Sequence, residues 1–481
     1  MIFLSPVLHV TGLLTAGLGI AMLLPAVVDV AAANPDWQIF AATALLTWTL
    51  GTLLAMATRR PGAMRITVRQ AFLMTATAWI TLSAFSALPF LALGLDYDDA
   101  FFESVSGFTT TGSTVIVGLD FLPPGILLWR ALLQWIGGVG IVVMAIIILP
   151  FLRVGGMQLF HTESSDRSEK IVPRPLELVG YIAAIYFALT VACAVCYMAA
   201  GMKPFDAACH AMTTLSTGGF ANYDASFGHY RSVPIDWFGV IFMIAGALPF
   251  VTYIKMVKGE PLSLWKDSQV RTIVAFLAAV SVITGVWLAR SQGIPVADGV
   301  RLAAFNVVSV VTTTGFVSAD YTTWGAPAVG LFFIITFVGG CAGSTSGGIK
   351  IYRFQVLWLI VLARIRQLAL PSRIVSLSYS GRRLPEDVPT SVLAFLAVYI
   401  GTIGLFTLLL SMLGLDLVTA LSSAAQAIGN VGPGLGPIVG PSGNFSTVPD
   451  PAKWVLTAAM LLGRLELFTL IVLLDPEFWR G

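Results

Sequence analysis

Charge is scarce in this sequence: Lys, Arg, Asp and Glu together make up 11% of 481 residues, against 57% hydrophobic residues and a mean hydropathy of +0.87. A soluble domain carries roughly 25% charged residues, so an ordinary soluble fold is excluded, and no nucleic-acid partner is expected. Cysteine and histidine number four each. Cys193 and Cys196 form a Cys-x-x-Cys inside an apolar run with no second pair, Cys209 and Cys341 stand alone, and all four read as packing residues. His9, His161, His210 and His229 form no His-Glu-x-x-His pair, so no zinc site is expected. A Gly-x-Gly-x-x-Gly fingerprint is missing too, so any control by nucleotides must come from another chain. The stretch from Gly343 to Lys350 is only superficially a phosphate loop, because Lys350 does not directly follow the final glycine. An intramembrane enzyme would need a nucleophile-base pair or a metal constellation, and neither is found; the chain does not read as an enzyme.

What is abundant is long apolar sequence. Runs near the span length of about 20 residues cover residues 4–28, 38–57, 70–94, 123–152, 175–200, 234–256, 269–290, 325–366, 388–414 and 452–475, and the eighth is too long for one crossing. The first is longer than a signal segment and lacks a basic start, so it reads as a span. Basic residues concentrate after every second run: Arg59, Arg60, Arg65 and Arg69; Arg153, Arg167, Lys170 and Arg174; Lys255, Lys258, Lys266 and Arg271; then Lys350, Arg353, Arg364, Arg366, Arg373, Arg382 and Arg383. The positive-inside rule puts these loops and both termini in the cytoplasm, the chain being a multi-pass membrane protein.

The opposite loops share a pattern. Each holds a moderately apolar segment too short to cross a bilayer, residues 100–108, 207–215, 302–311 and 419–428, which reads as a re-entrant helix. Each then ends in small residues and glycine: Thr109-Thr110-Thr111-Gly112, Leu215-Ser216-Thr217-Gly218, Thr312-Thr313-Thr314-Gly315 and Gly429-Asn430-Val431-Gly432. The last glycines lie 106, 97 and 117 positions apart, about right for two spans and a loop. Four copies suggest four walls around one pore. A partly dehydrated cation needs oxygens in place of water; extended backbone supplies carbonyls, and glycine permits the left-handed dihedrals of such a path. Asp98, Asp206, Asp298 and Asp416 stand near the segment starts, either as helix caps or as a funnel for cations.

These features resemble the Trk/Ktr/HKT superfamily of cation transporters. The resemblance rests on the repeat of span, re-entrant helix, filter and span, and on single-glycine filters at Thr110 to Ser113, Ser216 to Phe220, Thr313 to Phe316 and Asn430 to Gly434. It covers the chain from about Val68 onward, and the two extra amino-terminal spans are similar to the Trk type. It implies an all-α polytopic fold: two amino-terminal helices and a basic loop in residues 1–67, then pore repeats in 68–174, 175–268, 269–387 and 388–481. It further implies potassium uptake, a homodimer in the lipid bilayer, and a cytoplasmic nucleotide-binding regulatory ring (TrkA-like). No cofactor is implied, potassium being the transported ion at the filter residues. Serine for the first filter glycine goes with sodium preference in the superfamily; Gly112, Gly218, Gly315 and Gly432 therefore favour potassium. A sodium-permeable pore, or a symporter coupled to protons or sodium, is the alternative within the same architecture.

The overlong eighth run contains Gly339-Gly340-Cys341-Ala342-Gly343-Ser344-Thr345-Ser346-Gly347-Gly348, a composition that sustains a helix poorly. The span is expected to break there. Close helix packing at Gly339, Gly343 and Gly347 is one reading; a flexible flap that gates passage is the other, and the resemblance implies such a gating loop in residues 339–348 of the third repeat. Arg464 lies in the last apolar run, where a basic residue costs about 2.5–3.5 kcal/mol. It is expected to hydrogen-bond the loop around Gly343 to Gly348 and raise the barrier to cations, the alternative being a purely structural arginine. Glu466, two positions on, is not an obvious local partner.

Overall fold

The computed structural model describes residues 4–60, 66–148, 175–372 and 376–480. Arg65, Arg153, His161, Arg167, Lys170, Arg174 and Arg373 lie outside the described residues. Among the described residues the fold is all-α apart from a hairpin of two-residue strands that pairs Ser378 with Arg383 and Tyr379 with Arg382. Among the described residues, seven helices are long and apolar enough to span a membrane, and two bent helix pairs raise this to nine.

The amino-terminal helices, Ser5–Ala31 and Trp37–Ala57, pack as a hairpin. Their backbones touch: a Cβ on Gly51 would stand 2.4 Å from the Ala16 nitrogen, the small-residue contact by which helices associate in lipid. The next span begins at a capping box, Thr67 and Gln70 each satisfying the other's backbone N–H. The span that opens the third repeat, Ser268–Gln292, is capped by the Asp267 carboxylate at one end and by left-handed Gly293 at the other.

Three apolar runs do not form one straight helix. Val233–Ala247 turns by 92° into Phe250–Val257, at Leu248 and Pro249, where proline has no N–H to continue the ladder. The overlong run splits into Ala326–Ile335 and Ile351–Ala369, with residues 336–350 irregular between them. Asp450–Arg464 turns by 105° into Phe468–Leu474, with Glu466 at φ 61° and Leu467 at φ 43° in the corner. Arg464 is thus the last residue of its helix at a break, and not a mid-span residue as the apolar run suggests.

Four short helices enter between the spans: Tyr97–Phe108, Pro204–Leu215, Val296–Val311 and Leu417–Gly429. They begin two to six residues before the apolar segments read from the sequence. Nearly every residue in their last two turns is buried, so they form the centre of the molecule and the spans form its wall.

Candidate selectivity filter and intramembrane loop

Each pore helix stops in the same way. Just past each helix the backbone turns left-handed: Thr110 at φ 54°, Thr217 at φ 50°, Thr313 at φ 58° and Asn430 at φ 53°. Two positions later it turns left-handed again, at Gly112, Gly219, Gly315 and Gly432. The hydrogen bonds repeat as well. Thr111 and Gly112 both donate to the Ser106 carbonyl (2.9 and 3.4 Å), Gly218 and Gly219 to that of Thr213 (2.9 and 3.4 Å), and Thr314 and Gly315 to that of Ser309 (2.8 and 3.3 Å). Val431 donates to the Gln426 carbonyl at 3.0 Å. Such bonds satisfy carbonyls that a helix end leaves open.

This geometry shifts the second loop by one residue from its alignment in the sequence. Gly219, not Gly218, is the partner of Gly112, Gly315 and Gly432; Gly218 stands level with Thr111, Thr314 and Val431, and Ser216 with Thr109 and Thr312. The threonines at positive φ are unforeseen in the sequence, since β-branched residues rarely adopt that region. Bonds at and beside them hold these turns: Thr217 Oγ1 donates to Thr345 Oγ1 at 3.2 Å and Thr313 Oγ1 accepts from Gly347 N at 2.7 Å, while the flanking Thr109–Thr111 and Thr312–Thr314 hydroxyls meet at 2.7 and 2.8 Å and the Asn430 amide donates to Thr111 Oγ1 at 3.0 Å.

The four loops close into a ring. A Cβ added to Gly112 would stand 2.2 Å from the Gly218 carbonyl oxygen, one on Gly219 1.9 Å from that of Thr314, one on Gly315 2.2 Å from that of Val431, and one on Gly432 2.8 Å from that of Thr111. Each glycine thus touches the next loop's carbonyl, in the order first, second, third, fourth and back to the first. Outside the ring lies a cavity of about 80 Å³, lined by the glycines and by Asp224, Tyr223 and Arg130.

Beneath the ring lies the irregular stretch of the eighth run. Ser344, Thr345 and Ser346 are fully buried. Thr345 Oγ1 donates to the Leu215 and Gly246 carbonyls at 3.0 and 2.9 Å, the Ser346 hydroxyl donates to the Thr312 carbonyl at 2.5 Å, and the Gly347 and Gly348 N–H groups donate to Thr313 Oγ1 at 2.7 Å and the Gly429 carbonyl at 2.8 Å. The loop therefore touches the inner ends of filters two, three and four. Gly339 and Gly340 form its base, Gly339 donating to the Ile349 carbonyl at 2.9 Å and Gly340 to Ser346 Oγ at 3.0 Å; the Gly343 carbonyl accepts from Phe250 N at 2.9 Å. Irregular backbone at this depth is satisfied by protein, as a membrane interior requires.

Arg464 reaches the same loop. Its Nη1 donates to the Thr345 carbonyl at 3.0 Å, and its Nε and Nη2 have no hydrogen-bond partner among the described residues. Glu466 serves another arginine: it pairs with Arg353 at 2.5 Å, and the Arg353 guanidinium lies 3.6 Å from the Phe395 ring. Lys350 donates to the Ser346 carbonyl. Lys350 and Arg353 are buried, so the basic surface read from the sequence starts further on, with exposed Arg364, Arg366 and Arg383.

Only one of the four acidic residues near the segment starts is a cap. Asp416 accepts from Val418 and Thr419 N–H, at 3.0 and 3.1 Å. Asp206 accepts from Asn222 and Tyr223 side chains, Asp298 pairs with Arg301 at 3.3 Å, and Asp98 follows Asp96 at the N-cap without capping it. Sequence reasoning also missed the supports behind the first two filters. Arg130 pairs with buried Glu103 at 2.8 Å and donates to the Ala221 carbonyl at 2.8 Å, and Gln134 bonds to the second filter. A readable signal existed, since both are polar residues inside an apolar run.

Known proteins share this architecture along the whole chain. The family model described as TrkH, cation transport protein, matches residues 37–479. The Trk system potassium uptake protein TrkI of Halomonas elongata is 47% identical over 481 residues, covering 99% of this chain and 97% of that protein. TrkH of Escherichia coli K12, also a Trk system potassium uptake protein, is 35% identical over 480 residues and 98% of each chain. The crystal structure of the potassium transporter TrkH from Vibrio parahaemolyticus matches with a TM-score of 0.91 at 35% identity, covering 99% of this chain and 100% of that one. A helical membrane protein with four repeated glycine loops and these relatives is a transporter and no enzyme, and the chain belongs to the TrkH family of cation transport proteins.

Proposed function

We propose that this chain takes up potassium across the bacterial inner membrane through a channel-like pore. The observation that carries the reading is the closed ring of four filter loops, in which every glycine meets the next loop's carbonyl. Thr110 to Gly112, Ser216 to Gly219, Thr313 to Gly315 and Asn430 to Gly432 replace the ion's water with backbone oxygens. The membrane potential drives entry, at about 2.3 kcal/mol per charge per 100 mV. Pore repeats in residues 68–174, 175–268, 269–387 and 388–481 supply one wall each.

The loop at residues 339–348 is the gate. What supports this is its place directly beneath the ring and its composition, which lets it leave without unwinding a helix. Arg464 adds a fixed positive charge under the filter while the loop is docked. A nucleotide-binding regulatory ring of the TrkA kind meets exposed Arg364, Arg366 and Arg383 on the cytoplasmic side and acts on the loop through helix Ile351–Ala369. The protein works as a homodimer with both termini in the cytoplasm.

Flux into proteoliposomes, with the potential clamped by an ionophore, tests the reading. Rubidium entry that follows the potential and far exceeds sodium entry is the expected result. Equal rubidium and sodium flux overturns the selectivity, and uptake that ignores the potential but requires a second ion makes the protein a coupled symporter.

A further inference from the structure

The second filter alone reads Gly-Gly, and Gln134 supplies the reason. Gly218 stands where the other loops carry Thr111, Thr314 and Val431, and it lacks the left-handed φ of Gly219, so its backbone does not demand glycine. Space does. The nearest atoms to a Cβ at Gly218 are Cδ, Oε1 and Nε2 of Gln134, at 2.4, 2.4 and 2.8 Å. Gln134 is fully buried on helix Pro124–Val143, the helix that follows the first filter. Its Nε2 donates to the Gly218 carbonyl at 2.6 Å, and its Oε1 accepts from Phe220 N at 3.0 Å. The amide therefore brackets Gly219 from both sides.

One helical turn earlier, Arg130 occupies the same helix face. Its Nη1 donates to the Ala221 carbonyl at 2.8 Å, its guanidinium lies 4.1 Å from the Phe220 ring, and its Nε pairs with Glu103 of the first pore helix at 2.8 Å. The first repeat thus holds the second repeat's filter at Gly218, Phe220 and Ala221.

We infer that Gln134 is a specificity-determining positioning residue, whose amide fixes the Gly218 carbonyl and so sets the aperture of the carbonyl ring. The inference rests on the filter reading above. A carbonyl oxygen has two lone pairs; Gln134 engages one and leaves the other for an ion. An anchored carbonyl cannot follow a smaller ion inward, so the ring keeps its size when sodium enters. Without the anchor the second wall relaxes and sodium is accepted.

The test is a double-mutant cycle read as the rubidium-to-sodium flux ratio in proteoliposomes. Gln134→Ala lowers the ratio about fivefold, the factor one neutral hydrogen bond carries. Gly218→Ala displaces the amide and lowers it similarly, and the double variant falls no further than either single one, because both remove the same contact. Gln134→Leu, which fills the space without bonding, replaces the alanine variant if the latter does not assemble, and the same loss is expected. A wild-type ratio in the Gln134 variant, or losses that add in the double variant, overturns the inference. Gly112→Ser is run beside them: if it too leaves the ratio unchanged, the filter reading itself has failed, whereas a ratio lowered by Gly112→Ser alone rejects only the role of Gln134.

Discussion

Serine at Gly219 is expected to damage ion discrimination more than serine at any other filter glycine. A Cβ there would lie 1.9 Å from the Thr314 carbonyl oxygen and 2.9 Å from its carbon. Carbon and carbonyl oxygen ordinarily approach to about 3.3 Å, so the overlap exceeds about 1 Å. Its φ of +79° adds about 1–2 kcal/mol for a residue with a side chain. The clash is with backbone, so relief requires turning the Thr314 carbonyl out of the ring. Gly112 and Gly315 face the same conflict at 2.2 Å, and Gly432 at 2.8 Å. The rank of damage is therefore Gly219, then Gly112 and Gly315 together, then Gly432. A loss of about 1.4 kcal/mol is tenfold in discrimination, and Gly219→Ser is expected to exceed that. Gly218→Ser meets only the end of the Gln134 side chain and costs less. The assay is the rubidium-to-sodium flux ratio of the five serine variants in proteoliposomes. A greater loss at Gly218 than at Gly219, or a loss at Gly432 equal to that at Gly219, would refute the reasoning.

Other perturbations reach different parts of the molecule. Arg464→Ala removes the guanidinium that bonds to Thr345 and should raise basal rubidium flux without any regulatory partner; unchanged or lower flux in properly assembled protein counts against a barrier role. Glu466→Gln takes the carboxylate from buried Arg353, and such uncompensated burial costs about 3–5 kcal/mol; the purified variant should melt at a clearly lower temperature, and an unchanged melt would show the pair to be dispensable. Thr419 and two backbone amides hold the exposed Asp416 carboxyl below its ordinary value of 3.8. Its contribution is therefore complete above pH 3.8 and fades as pH falls through the depressed value. Asp416→Ala should lower the melting temperature at neutral pH, with the gap closing in acid below pH 3.8; a gap that persists there would mean the cap acts without its charge.

The ten apolar runs were legible because span length and hydropathy are properties of local sequence, and so were the short segments and glycines between them. The break at residues 336–350 was legible for the same reason, glycine, serine and threonine being poor helix formers. Three features were not. The second filter was misread by one residue because its two adjacent glycines make either register acceptable in sequence, and they are separated only in the folded chain, by the left-handed turns at Thr217 and Gly219 and by the contact of Gly219 with Thr314. The left-handed threonines run against propensity and are held by neighbouring loops, which no single segment encodes. Arg464 was readable as a costly residue, but the role of Glu466 was not: the corner after Arg464 turns Glu466 toward Arg353, 113 positions distant. Asp206 and Asp298 show the converse limit, since a residue type suited to capping was used instead for side-chain pairs in the folded chain.

The central claim is that the ring of carbonyls from Thr111, Gly218, Thr314 and Val431 holds the permeating ion. Anomalous diffraction from crystals grown in rubidium or thallium measures this directly. The account predicts a strong peak within that ring and none among residues 339–348 below it. An empty ring in crystals that show bound ions elsewhere in the protein would contradict it.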